Sequence, residues 1–290
     1  MTNSMRPAGR VALLLMCASA LAACDTVGGA TRGGPQVAVL DEDKSGTSSI
    51  NIESLSDVVR RNPADAGAYN TRGAAYARSG RYGDAIGDFN KALGIDPGNA
   101  PAYTNRALAY RQTNRADAAL ADFSKAIASD PNYGPAYIGR ANLARTQGNY
   151  DSALSDLTQA IRLTPESAEA LHARGLVHQR MNRHREAIID FDAAIDRNSF
   201  VAPPYAARGQ SLVATNQYDK AIEDFNAALN INNRDADSWA WRGVAQEKAG
   251  RRQEAVESYT RATGIESGNA TARAGLGRVG GGVASLNPFR

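Results

Sequence analysis

Thiols and imidazoles are scarce in this chain and neither sign of charge dominates, and each scarcity removes a class of function. Of 290 residues only two are cysteine, Cys17 and Cys24, both near the N-terminus. The rest of the chain has no thiol pair for a disulfide, so its stability must come from packing. Histidine occurs three times, at His172, His178 and His184, spaced by six residues. That spacing does not put two imidazoles on one helix face as a metal pair four apart would, and no metal site is predicted. Gly28 to Gly34 has no helix following it, so no phosphate-binding glycine loop is present. No serine or cysteine nucleophile has a recognisable context. The carboxylates are accounted for by helix faces, leaving no isolated acid pair of the kind glycoside hydrolysis uses. These gaps argue against an enzyme and against a cofactor. A formal net charge of +3 gives no reason to expect nucleic acid.

Long apolar runs are missing as well. The run Val11 to Ala22 is too short to cross a bilayer, and Arg6 and Arg10 precede it, as in a secretory signal. Leu21-Ala22-Ala23-Cys24 resembles a bacterial lipoprotein box. It implies a signal peptide over residues 1–23 and lipidation of Cys24; a plain signal peptide with an incidental cysteine is the alternative. Cleavage would also remove Cys17, Arg6 and Arg10, lowering the net charge from +3 to +1. Several acyl chains on one cysteine give a stable tether, so the implied location is the inner or outer membrane of a Gram-negative bacterium, facing the periplasm. Residues 24–53, rich in Gly, Thr and Ser and without helical periodicity, are predicted to be a flexible tether with an end-to-end distance of roughly 30 Å. Within it Asp41, Asp43, Ser45 and Gly46 match the start of a calcium loop, but the twelfth place holds Ile52, which favours a solvated acidic turn.

What the chain does have is one unit of thirty-four residues written six times without insertion or deletion, starting at Ala66, Ala100, Gly134, Ala168, Ala202 and Ala236. Gly or Ala holds the eighth place of every unit and Ala the twentieth and twenty-seventh, while Phe89, Phe123, Leu157, Phe191, Phe225 and Tyr259 hold the twenty-fourth. Small residues facing bulky ones at this period predict a helix hairpin that buries its apolar face only by stacking on its neighbours. Gly80, Asn114, Gly148, Asn182, Asn216 and Gly250 mark a left-handed turn between the two helices of each hairpin. Asp65, Asn99, Ser167, Asp235 and Asn269 stand where a side chain can cap the first helix.

These residues resemble the tetratricopeptide repeat (TPR). In the first unit Tyr69, Gly73, Tyr76, Ala85, Phe89, Ala92 and Pro97 occupy the family's signature places, and the next two units end in Pro131 and Pro165. Units four to six depart, with Ser199, Asn233 and Ser267 in place of proline. The resemblance implies an all-α fold, a right-handed superhelical α-solenoid of six helix hairpins over residues 66–269 (66–99, 100–133, 134–167, 168–201, 202–235, 236–269). A half-repeat helix at 54–65 precedes it, a capping helix at 270–279 follows, and residues 280–290 are predicted to be a mobile tail.

Two charge patterns accompany the repeat. Arginine fills the seventh place of all six units (Arg72, Arg106, Arg140, Arg174, Arg208, Arg242), and aspartate the twenty-third in five, Ser258 breaking the series. The register predicts a ladder of partly buried Arg–Asp pairs, within or between units. The second pattern concerns the concave surface, which in this family is lined by the first helix of each hairpin. The matching places give Asn70, Asn105, Asn142, His172, Gln210 and Trp241 as ligand-groove candidates, with Arg78, Arg111, Arg145, Arg180 and Lys248 near the same helix end. That stripe suits a protein or extended peptide bearing carboxylates; solvated arginines finishing each helix are the plainer alternative. The Lys and Asn clamp by which some members hold a chaperone's C-terminus is not reproduced, since Asn70, Ala74, Pro135 and Gly139 stand at its places and only Asn105 matches.

The leading expectation is a lipid-anchored scaffold or adaptor that binds another protein in its groove. A periplasmic enzyme acting on cell-wall glycan or peptide, and an architectural protein that self-associates, remain the alternatives.

Overall fold

The computed structural model describes residues 47–280. The signal-peptide run, Cys24, the tether before Thr47 and the tail after Gly280 lie outside the described residues. The described residues form fourteen α-helices and no strand: α1 Thr47–Arg61, α2 Ala66–Arg78, α3 Tyr82–Ile95, α4 Ala100–Gln112, α5 Ala116–Ser129, α6 Gly134–Thr146, α7 Tyr150–Leu163, α8 Ala168–Arg180, α9 His184–Arg197, α10 Ala202–Ala214, α11 Tyr218–Ile231, α12 Ala236–Lys248, α13 Arg252–Ile265 and α14 Ala270–Gly280. Helix α1 begins ahead of residue 54, where the half repeat is predicted to start, and ends with Arg60 and Arg61 in its last turn, where positive charge suits the helix dipole.

Helix boundaries follow from the local chemistry. The carboxylate of Asp65 accepts from the amides of Gly67 and Ala68, and Asn99, Ser167, Asp235 and Asn269 cap α4, α8, α12 and α14 in the same way. The six marked turn residues all have positive φ, from 56° at Asn114 to 81° at Gly250, so glycine and asparagine sit at the one backbone conformation that other side chains resist.

Packing repeats with the sequence. Each twenty-fourth-place side chain is fully buried, and Phe123, Leu157, Phe191 and Tyr259 lie between the eighth place of their own unit and a small residue at the sixth place of the next. The flanks match the side chain's size. Phe191 lies against Gly175 and Ala207, Phe123 against Ala107 and Gly139, and Tyr259 against Gly243 and Gly275. A Cβ added at Gly139 or Gly275 would come within 2.2 Å of the ring it faces, a distance real side chains do not adopt. The smaller Leu157 is flanked by alanine on both sides, Ala141 and Ala173.

The predicted ladder is present and joins units as well as helices. Arg72 grips Asp88 through two nitrogens at 2.7 Å each, and Arg106, Arg140, Arg174 and Arg208 hold Asp122, Asp156, Asp190 and Asp224 in the same fork. The remaining nitrogen of several arginines reaches back to the preceding unit, Arg106 to Asn90, Arg208 to Asp192 and Arg242 to Asn226. Hydrogen bonding to Asp224 raises the pKa of Arg208 above its ordinary value, so the charge is fixed. In the sixth unit Arg242 meets the hydroxyl of Ser258 instead, at 3.1 Å, and rests over the Trp239 ring at 4.2 Å.

Successive first helices touch one another along the whole stack, α2 to α4, α4 to α6 and on to α14, whereas no two second helices do. The first helices therefore occupy the shorter, inner arc, and the surface they share is a continuous groove.

Candidate ligand groove

Five of the eleven predicted groove residues converge on one cavity of about 600 Å³, lined by Arg145 from α6, Arg180 from α8, Gln210 from α10, and Trp241 and Lys248 from α12. Leu176, Gln179, His184, Val213, Ala214 and Asn216 complete the lining. The wall thus holds three cations, several amide donors and one large indole, and no acidic residue. Gln179 is tied down by donating to the carbonyl of Ala207 at 2.7 Å and the hydroxyl of Ser211 at 2.9 Å, which braces α8 against α10.

The electrostatics of this wall differ from those of the ladder. Arg145 is half-buried and its Nε is buried without a hydrogen-bond partner. Burial lowers its pKa, and the like charges of Arg180 and Arg111 lower it further. Arg111 on α4 is likewise lowered by burial, opposed by the charge of Glu169 on α8, whose own carboxyl is raised by burial. His172 packs its ring 5.7 Å from that of Phe191, and burial, reinforced by Arg145, pushes its pKa down to about 4. The imidazole is therefore neutral at neutral pH and adds no charge to the groove.

The other candidates are placed differently. Asn70 and Asn105 are buried and turned towards each other, Asn105 Nδ2 donating to Asn70 Oδ1 at 3.0 Å. This bond pairs successive units across the stack. Asn142 is half-buried on α6 and Arg78 ends α2, both away from the cavity wall. The histidines are not brought together: His184 lines the cavity while His178 Nε2 lies 3.7 Å from Asp190, beside the ladder. Among the described residues no cluster of three His, Cys, Asp or Glu side chains is arranged to hold a metal. Gln179 and Glu169 were legible in principle, because they stand at the twelfth and second places of the same register. His184 and Asn216 stand beyond the first helix, at the start of α9 and in the turn after α10, and no helix-face pattern points to them.

Tetratricopeptide repeat models match residues 76–143, 138–202 and 236–269, and a TPR repeat model matches residues 209–250. No curated protein matches the sequence significantly. Among solved structures, a chain of the Cut9–Hcn1 hetero-tetramer of the APC/C superposes with a TM-score of 0.73 at 20% identity, over 81% of this chain and 46% of that one. This chain thus spans less than half the length of that relative. PilF of Pseudomonas aeruginosa superposes with a TM-score of 0.67 at 21% identity, over 75% of this chain and 99% of its own. PilW, described as a type IV pilus biogenesis factor, gives 0.66 at 16%, over 73% and 98%. At such identities the likeness is one of fold.

Proposed function

Because the chain belongs to the tetratricopeptide repeat family, whose members bind protein or peptide partners, we propose that it is a non-catalytic scaffold or adaptor that takes a partner segment into the groove of its first helices. The observation that carries this reading is the cavity walled by Arg145, Arg180, Lys248 and Trp241, open on the inner arc and without an acidic residue. Such a wall favours an acidic partner segment. YrrB, another TPR structure of similar fold, is described as having an unusual peptide-binding site, and PilW as serving pilus biogenesis. Both descriptions are in keeping with a docking role rather than chemistry.

The location forms part of the proposal and rests on sequence alone. Arg6, Arg10, the apolar run and the box ending at Cys24 support a lipid-anchored protein facing the periplasm. No helix among the described residues is long and apolar enough to cross a membrane. Incorporation of a labelled fatty acid by the wild type and its loss in Cys24→Ser is the expected result; equal labelling of both would remove the anchor.

The binding role is tested by placing a photoreactive residue at Gln210 and crosslinking in intact cells. A distinct protein partner captured from the groove is expected. Crosslinks only to a second copy of this chain would favour the architectural reading. Activity of the purified chain on murein would favour the enzyme reading.

A further inference from the structure

Where an arginine of this chain is structural, the chain supplies its partner: five seventh-place arginines hold aspartate forks, and the sixth has a hydroxyl, an amide and an indole. Arg145 is the contrast. It is half-buried, its Nε has no partner, and the charges nearest to it are those of Arg180 and Arg111. Arg111 has the charge of Glu169 opposite it, but no carboxylate among the described residues faces Arg145, and its partial burial beside like charges destabilises the fold, so the return must come from something outside the chain.

The wall also specifies what kind of group. Arg145, Arg180 and Lys248 can share one anion, while Trp241 sits with Leu176 and Val213 on the same cavity. A carboxylate alone would leave the open part of the half-buried indole and of Leu176 wet; an apolar side chain alone would leave the cations unmatched. The cavity lies part-way along the stack, and the first helices continue past it towards α2 on one side and α14 on the other. A segment lying here runs through the site in both directions, so the carboxylate belongs to an internal acidic residue rather than to a chain end. One unit towards the N-terminus, Arg111 is the next cation outside the ladder. Helices in contact, as α4 and α6 are, pack about 8 to 10 Å apart, which an extended chain in the polyproline II form covers in three residues at about 3.1 Å each, one full turn that brings the side chain back to the same face.

We propose that this cavity holds an acidic side chain of an extended partner segment together with the bulky apolar residue next to it, and that a second acidic side chain three residues away meets Arg111. This assignment rests on the groove reading above and names the ligand of that same site.

The test uses the full chain and blocked synthetic peptides. The probe is Ser-Asp-Ser-Ser-Asp-Phe-Ser-Ser, and its control has the same composition in the order Phe-Ser-Ser-Ser-Ser-Ser-Asp-Asp. By fluorescence anisotropy the spaced peptide is expected to bind about tenfold more tightly than the permuted one. Arg145→Gln and Trp241→Ala are each expected to weaken it by about five- to tenfold, with helical content unchanged by circular dichroism. Equal affinity for both peptides would reduce the site to non-specific attraction, and absence of binding would equally overturn the assignment. Unchanged affinity in Arg145→Gln would move the site elsewhere. Inorganic phosphate that binds more tightly than the spaced peptide would make it a phosphate site. Any of these failures leaves the groove reading standing if the Gln210 crosslinks still capture a partner.

Discussion

Arg140 and Arg145 stand five residues apart on α6 and meet opposite surroundings. Arg140 forks onto Asp156 at 2.8 Å through two nitrogens, and its third reaches back to the hydroxyl of Ser124. Arg145, in the last turn of the same helix, has only other arginines as its nearest charges and an Nε without a partner. One side chain is an element of the fold and the other an opening to something outside it. Mutation should separate the two.

Asp156→Asn is expected to lower stability by about 1 to 3 kcal/mol, less than for a fully buried pair because Arg140 keeps some contact with water. The substitution keeps the shape and removes the charge, leaving Arg140 half-buried without its counter-ion. Thermal unfolding followed by circular dichroism reads the effect; an unchanged Tm would mean that the rung is ornamental.

Arg145→Gln is expected to move stability the other way, upwards by about 0.5 to 1 kcal/mol, because it relieves repulsion from Arg111 and Arg180 without stranding an acid. A fall in Tm comparable to that of Asp156→Asn would assign Arg145 to the structure and withdraw it from the groove.

The difference between these two arginines also marks how far the sequence could be read. The hairpins, their turns at the six Gly and Asn positions, the caps and the ladder all follow from a period fixed at thirty-four residues, since each is a local choice repeated in phase. Arg145 and Arg180 were visible as helix-ending cations, but whether an acid lies opposite depends on which side chains neighbouring units bring across the inner arc. For the same reason the bond from Asn105 to Asn70 could not be read from either unit alone. His184 and Asn216 enter the wall from outside the first helices, where a one-helix pattern carries no signal.

His172 makes stability depend on acid. Its folded pKa of about 4 lies below the ordinary value of 6.5, burial being the main cause and Arg145 the second. Between those two values the unfolded chain binds the proton and the folded one does not, so stability falls as pH drops through that window and levels off below it. The loss is expected to total about 2 to 3 kcal/mol, reduced by the imidazole's partial contact with solvent. His172→Gln, which cannot take the proton, is expected to flatten this slope between pH 6.5 and 4 in denaturant titrations. An identical slope in the variant would put the acid response elsewhere.

The match between bulky side chains and their flanks gives the sharpest test of the packing. Every aromatic at the twenty-fourth place has glycine on at least one flank, as Phe89 has Gly73 and Phe225 has Gly209, and only Leu157 is held between two alanines. Leu157→Phe should therefore overpack the third hairpin and cost about 1 to 3 kcal/mol. Ala141→Gly alone should cost about 1 kcal/mol through helix propensity and a small void. Together they recreate the arrangement of Phe191 against Gly175, so the double variant is expected to be more stable than Leu157→Phe by at least about 1 kcal/mol, a coupling readable in a double-mutant cycle. Strict additivity of the two single effects would mean that the ring finds room by shifting a helix, and that flank size is not what selects the residue at this place.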